Sequence, residues 1–375
     1  MLFLAAFGWA LLTASPAHAY AWMIRHGVSQ CGSCHVDPMG GETLAGMGRA
    51  MGETKLAFSW SGEPEPSAAG EFLFGVGEPE NVRLGGSLRA LSVSYLNAGY
   101  TSAFPMQADL YGAAFFGRFT LAASVGVSKA SARYEHSSKA KLVGNVEDEG
   151  RILVSRNHWL GYRFDDALML RAGRINLPFG VRTSEHVLWV RSETLTDRES
   201  DQLDGVSLVY SSGAWRGELM AALGNLQAPD GAFQQRGYSG YVEYLVDLDL
   251  ALGLSSLFLS APRELEADSG AVVHTAHGLT LRYVPAQPLV ILAEANALKV
   301  TGYDLGFVGM TTFDFEPIQG LHLALTGELL KRELTRAGGW LTWQWFVLPH
   351  VDLRLDVVLR QERQSQLLAQ LHIYL

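Results

Sequence analysis

The chain has 375 residues, 48% of them apolar and only 18% charged, with 40 glycines and a formal net charge of −9. An acidic balance with no basic patch excludes a nucleic-acid partner, and two cysteines are too few for a disulfide scaffold. Beyond residue 19 no apolar run approaches the ~20 residues of a membrane-spanning helix, yet so glycine-rich a composition is unlike that of an average soluble enzyme.

Residues 1–19 read as a signal peptide. Leu2 to Leu12 is an apolar run and Ala17-His18-Ala19 a small-x-small cleavage site, so the mature chain is expected to begin at Tyr20. No Lys or Arg precedes the apolar run, a departure from the usual signal pattern.

Residues 20–60 carry the chemistry. Cys31 and Cys34 stand three apart and His35 follows directly. In Cys-x-x-Cys-His each thiol can add across a haem vinyl group while the imidazole reaches the iron. One haem c is expected, with Cys31 and Cys34 as thioether attachments and His35 as proximal axial ligand, which also requires export. The rival readings are a Cys31–Cys34 disulfide, a thioredoxin-like pair and a zinc site. The thioredoxin-like pair lacks a βαβ context, and zinc lacks further cysteine ligands. For the opposite face of the iron, His26 competes with Met47 and Met51, which share one face of a helix expected from about 42 to 53. About 40 residues cannot build a sufficient core around a haem, so the segment needs a wall from elsewhere. Residues 61–83 read as a linker, opening on the Gly/Pro/Ser-rich stretch after Trp60.

Residues 84–375 read as an all-β unit, a 16-stranded antiparallel outer-membrane β-barrel. Val351, Leu353, Leu355, Val357 and Leu359 alternate with Asp352, Arg354, Asp356 and Arg360, and Leu321, Leu323, Leu325 and Leu329 oppose His322, Thr326 and Glu328. Such ten-residue segments of period two, apolar outward and polar inward, mark transmembrane barrels. The strands are expected at about 84–97, 106–116, 118–128, 155–164, 167–177, 204–211, 214–224, 238–246, 249–260, 274–284, 288–299, 304–315, 319–331, 338–347, 350–361 and 365–375. Tight turns alternate with longer loops, which puts the tight turns and both termini on the periplasmic side of a bacterial outer membrane. Tyr162, Phe164, Tyr210, Trp215, Tyr244, Tyr283, Phe313, Phe315, Trp345 and Phe346 flank the tight turns and read as an interfacial girdle. The inward carboxylates Glu243, Glu294, Asp314, Glu328, Asp352 and Asp356 are candidates for drawing cations into the lumen. The charge-dense loop from Pro178 to Asp204 suits either a constriction inside the lumen or a docking surface outside.

A Cys-x-x-Cys-His segment joined to a barrel resembles the fused outer-membrane monohaem cytochrome–porins, iron-oxidase-like proteins of extracellular electron transfer. The resemblance rests on Cys31, Cys34, His35 and the following Gly48-Arg49, together with the architecture. It implies that the cytochrome segment plugs the lumen. It further implies that electrons cross the outer membrane between an extracellular donor or acceptor, possible donors including Fe(II), and a soluble periplasmic cytochrome. The stretch from Ala21 to Gly27 and the short chain depart from the best-known iron oxidases. Two other classes are kept: a diffusion porin with a haem-bearing plug or sensor, and a haem enzyme acting on a small molecule such as peroxide.

Overall fold

The computed structural model describes residues 20–60, 79–129, 140–143, 151–183, 185, 187–198, 201–226, 234–263, 270–361, 363 and 365–375. The signal segment, linker residues 61–78 and His186 of the charged loop lie outside them.

The described strands are β1 Val82–Tyr95, β2 Tyr100–Phe116, β3 Phe119–Lys129, β4 Ala140–Val143, β5 Arg151–Ser155, β6 His158–Arg163, β7 Leu168–Asn176, β8 Gln202–Ser212 and β9 Trp215–Gly224. They continue as β10 Arg236–Leu245, β11 Leu250–Ala261, β12 Val272–Ala286, β13 Leu289–Val300, β14 Gly306–Ile318, β15 Leu321–Lys331, β16 Thr335–Leu348, β17 Val351–Arg360 and β18 Gln366–Tyr374. All pairings are antiparallel, and β18 returns to β1 with Tyr374 opposite Ser87 and Gln366 opposite Tyr95, so the sheet closes. β5 and β6 both pair with β3 and form one wall strand broken at Arg156-Asn157. β4 pairs with β5 as an extra strand. Counting β5 and β6 once, the closed ring has sixteen strands, at the positions expected from the alternation.

The period-two pattern decides which way every side chain faces. Along β15, Leu323, Leu325 and Leu329 are exposed outward, whereas His322, Thr326 and Glu328 are buried inward. The exterior is an apolar belt suited to lipid, and the interior is polar. Phe164, Tyr210, Trp215, Tyr244, Tyr283, Phe313 and Phe315 are exposed beside the tight turns, as the girdle requires. Phe346 is a correction. It cannot share a face with its neighbour Trp345 in an extended strand, and it is fully buried inside, edge-on to Tyr20 and Trp22.

The connections at the end holding Val82 and Tyr374 are all tight. At the other end lie the long ones, although the connections at 96–99 and 332–334 are short there too.

Candidate functional site

The segment Tyr20–Trp60 sits against the inward face of the barrel. A short 3-10 helix, Ala21–His26, buries Trp22, Met23 and Ile24, with Tyr20 stacked on Trp22 at 4.8 Å and Trp22 tilted against His322 at 4.1 Å. Arg25 fixes this helix to the wall. Its guanidinium contacts Asp314 and Glu316, each at 2.9 Å, and donates to the Pro288 carbonyl at 3.2 Å. Asp37 does the same further along, accepting from the fully buried Arg171 at 2.9 Å. Phe58 extends the anchorage by donating its backbone N–H to the Phe346 carbonyl.

The motif folds as one tight turn. Cys34 N–H and His35 N–H both donate to the Cys31 carbonyl, at 3.1 and 3.0 Å, which gathers the two thiols and the imidazole within one turn. The chain then doubles back. The Asp37 side chain accepts from Met39 N–H at 2.8 Å, Gly40 and Gly41 take positive φ of 81° and 96°, and Val36 N–H reaches the Thr43 carbonyl. A Cβ on Gly40 would lie 3.1 Å from Cys31 Cβ and 3.8 Å from His35 Cδ2. The short helix Gly46–Met51 crosses so close that a Cβ on Gly48 would come within 2.2 Å of the Cys34 carbonyl oxygen. Substitution of either glycine would push the motif out of shape.

Cys34 and His35 open on a cavity of about 1270 Å³ of empty space, counting the solvent at its mouth. Leu44, Leu56 and Tyr111 give it apolar walls, and Tyr20, His372 and Tyr374 line it near the barrel seam. Arg89, Arg156, Arg182, Arg191 and Arg198 also border it. Both cysteines are free and buried, and burial first, then neighbouring Cys31, pushes the Cys34 thiol up to about 12. Reactive redox thiols show the opposite shift, which argues against a thioredoxin-like role.

His26, Met47 and Met51 do not line this cavity. His26 meets Glu316 at 3.2 Å near the tight turns, and Met51 lies against Thr54. The imidazole that does line it, apart from His35, is His372 on the last strand. Its Nδ1 lies 2.9 Å from Asp352 and its Nε2 3.0 Å from the Ser87 hydroxyl.

The charged loop lies inside the lumen. Val181 N–H donates to Glu294 at 2.7 Å, Trp189 N–H to Glu328 at 2.6 Å, and Phe179, Leu188 and Val190 are buried beneath it. The six inward carboxylates are all engaged, which corrects the expectation that they attract cations. Glu243 binds Arg216 and Arg282, Glu294 binds Arg191, and Asp314 binds Arg25. Glu328 binds Arg360, Asp352 binds His372, and Asp356 binds Arg354. Among the described residues no group of three or more His, Cys, Asp or Glu side chains converges as a metal centre.

No family model and no curated protein sequence matches the chain. Solved structures do match in fold. In-vitro folded OmpT of Vibrio cholerae, in its trimer form, is similar with a TM-score of 0.58 and 12% identity, covering 78% of this chain and 99% of that one. The anion-selective porin from Comamonas acidovorans has a TM-score of 0.55 and 13% identity over 78% of this chain and 98% of its own. The outer membrane channel DcaP of Acinetobacter baumannii has a TM-score of 0.54 and 10% identity, with 78% and 97% covered. The chain therefore has the porin-type fold of outer-membrane β-barrels.

Proposed function

We propose that this chain carries one haem c on Cys31 and Cys34 and passes single electrons across the bacterial outer membrane through a lumen closed to solutes. The observation that carries the reading is the seating of a Cys-x-x-Cys-His turn on the inner wall of a barrel, where it opens on a walled cavity that the short segment could not build alone.

The residues present fit such a group. Gly40 and Gly48 leave the motif unobstructed at positions where any side chain would collide with it. Leu44, Leu56 and Tyr111 would supply the apolar walls a porphyrin needs, and His35, which also lines the cavity, would be its proximal ligand. His372 is the other imidazole on the cavity among the described residues; Asp352 holds its Nδ1, as carboxylates do for metal-bound histidines, and its Nε2 would exchange the Ser87 hydroxyl for the iron. When bound, the haem supplies a one-electron ferric/ferrous couple, and the chain's task is to hold it, exclude water and fix its potential. The termini and tight turns face the periplasm in this reading, where a soluble cytochrome accepts the electron that an external reductant loses.

A diffusion porin is favoured by the shared fold alone. The seated segment and the inward-folded loop oppose it, because both occupy the space a solute would use. A peroxide enzyme would need an iron position that no side chain takes, and His372 on the cavity wall is the residue that would close it.

Two results test the reading. In intact cells, a membrane-impermeant reductant added outside should reduce the haem within seconds, and reduction only after the outer membrane is opened would count against it. In the purified protein, His372→Ala should convert a six-coordinate low-spin spectrum to a high-spin one, while His26→Ala should leave it low-spin. The opposite pattern would return the sixth position to His26.

A further inference from the structure

Three arginines of the inward-folded loop border the cavity, and they differ in one respect. Arg191 is paired with Glu294. Arg182 and Arg198 have no carboxylate within salt-bridge distance among the described residues. Arg182 is 8% exposed. Its hydrogen bond goes to the Leu177 carbonyl at 2.9 Å, and its Nε finds no partner. Arg198 is half-buried, donates to the Gly40 carbonyl at 2.5 Å and lies against Gly41, where a Cβ would overlap its guanidinium.

A buried guanidinium without a counter-ion is costly. Burial, followed by the charges of Arg198 and Arg191, pulls Arg182 down to about 10, which still leaves it cationic at neutral pH. Elsewhere in this lumen, buried arginines such as Arg25, Arg171, Arg282 and Arg354 each contact a carboxylate. The departure at Arg182 and Arg198 coincides with the cavity on which His35 opens. Planar guanidiniums bind carboxylates through paired N–H donors.

We propose that Arg182 and Arg198 take the two carboxylates of the group attached at Cys31 and Cys34. The loop would then clamp that group from above while the Cys-x-x-Cys-His turn holds it from below. This rests on the haem reading and adds a function for the loop. It neutralises the carboxylates, and it ties the inward fold of the loop to maturation through the Arg198–Gly40 bond. With the carboxylates neutralised, the ferric state loses the stabilisation that nearby negative charge would give, so the potential is raised.

The test is equilibrium redox titration of the purified holoprotein and of Arg182→Gln with Arg198→Gln. The double variant should shift the ferric/ferrous equilibrium at least tenfold toward ferric, a fall of about 59 mV for one electron. Arg182→Lys with Arg198→Lys, which keeps the charge, should recover most of it. Arg332→Gln removes a guanidinium already paired with Glu193 at 2.9 Å and should shift it far less. Resistance of the barrel to detergent unfolding on an unheated gel verifies that each variant is folded. A folded, covalently haem-loaded double glutamine variant with unchanged potential would overturn the clamp and leave the haem reading standing. Absence of covalent haem from the unmutated protein would defeat that reading instead.

Discussion

Replacing Cys31 and Cys34 together with alanine is expected to abolish the proposed covalent haem while leaving the barrel folded. The expected readout is loss of haem-linked peroxidase staining on a denaturing gel, with heat-modifiable migration of the barrel preserved. Each thioether forms between one sulfur and one vinyl group, so the double change removes both links. The barrel itself rests on the continuous antiparallel pairing that closes from β18 to β1, to which neither cysteine contributes. Retention of stain by the double variant, or loss of haem from the native protein on acid–acetone extraction, would contradict covalent attachment.

Arg25→Ala opens the pore. Arg25 is one side of a buried network with Asp314, Glu316 and His322. Removing one partner of a buried ion pair costs about 3–5 kcal/mol because the other charge remains uncompensated. The same change loosens the helix Ala21–His26 from the wall, leaving the burial of Trp22, Met23 and Ile24, the His26–Glu316 contact and the Gln287 bond to the Arg25 carbonyl as its hold. At ~1.4 kcal/mol per decade, the unseated population rises by roughly two to four orders of magnitude. In planar bilayers the native protein should be nearly silent, and Arg25→Ala should show porin-sized openings. Arg25→Lys keeps the charge but not the forked contacts and should fall between them. Native conductance equal to that of the variant would mean that the segment does not close the lumen.

Most of the barrel was legible because its information is local. Period two is set by backbone geometry, so the outward leucines of β15 and β17 could be assigned without knowing any partner. The same rule exposes the one error in the girdle: Trp345 and Phe346 are adjacent, and only one can face lipid. The motif was legible for a similar reason, since Cys31, Cys34 and His35 lie within one turn. What surrounds them was not, because those contacts join residues far apart in the chain, such as Arg25 to Asp314 and Val181 to Glu294. His372 did leave a signal. Leu371 and Ile373 point outward, so the residue between them must point into the lumen. The arginines left one too. Arg216, Arg282 and Arg354 occupy inward positions within reach of Glu243 or Asp356, and counting them beside the acids would have revealed a paired lumen rather than one that attracts cations.

The central claim is that electrons cross and solutes do not, and proteoliposomes test it directly. The protein is reconstituted around a trapped, oxidised soluble cytochrome, and ferrous iron or a membrane-impermeant reductant is added outside. The account predicts that the trapped cytochrome is reduced when the native protein is present, and that a barrel with Cys31→Ala and Cys34→Ala leaves it oxidised. Equal reduction by the two barrels would show that the reductant leaks through the pore, and the chain would then be a porin and not a conduit.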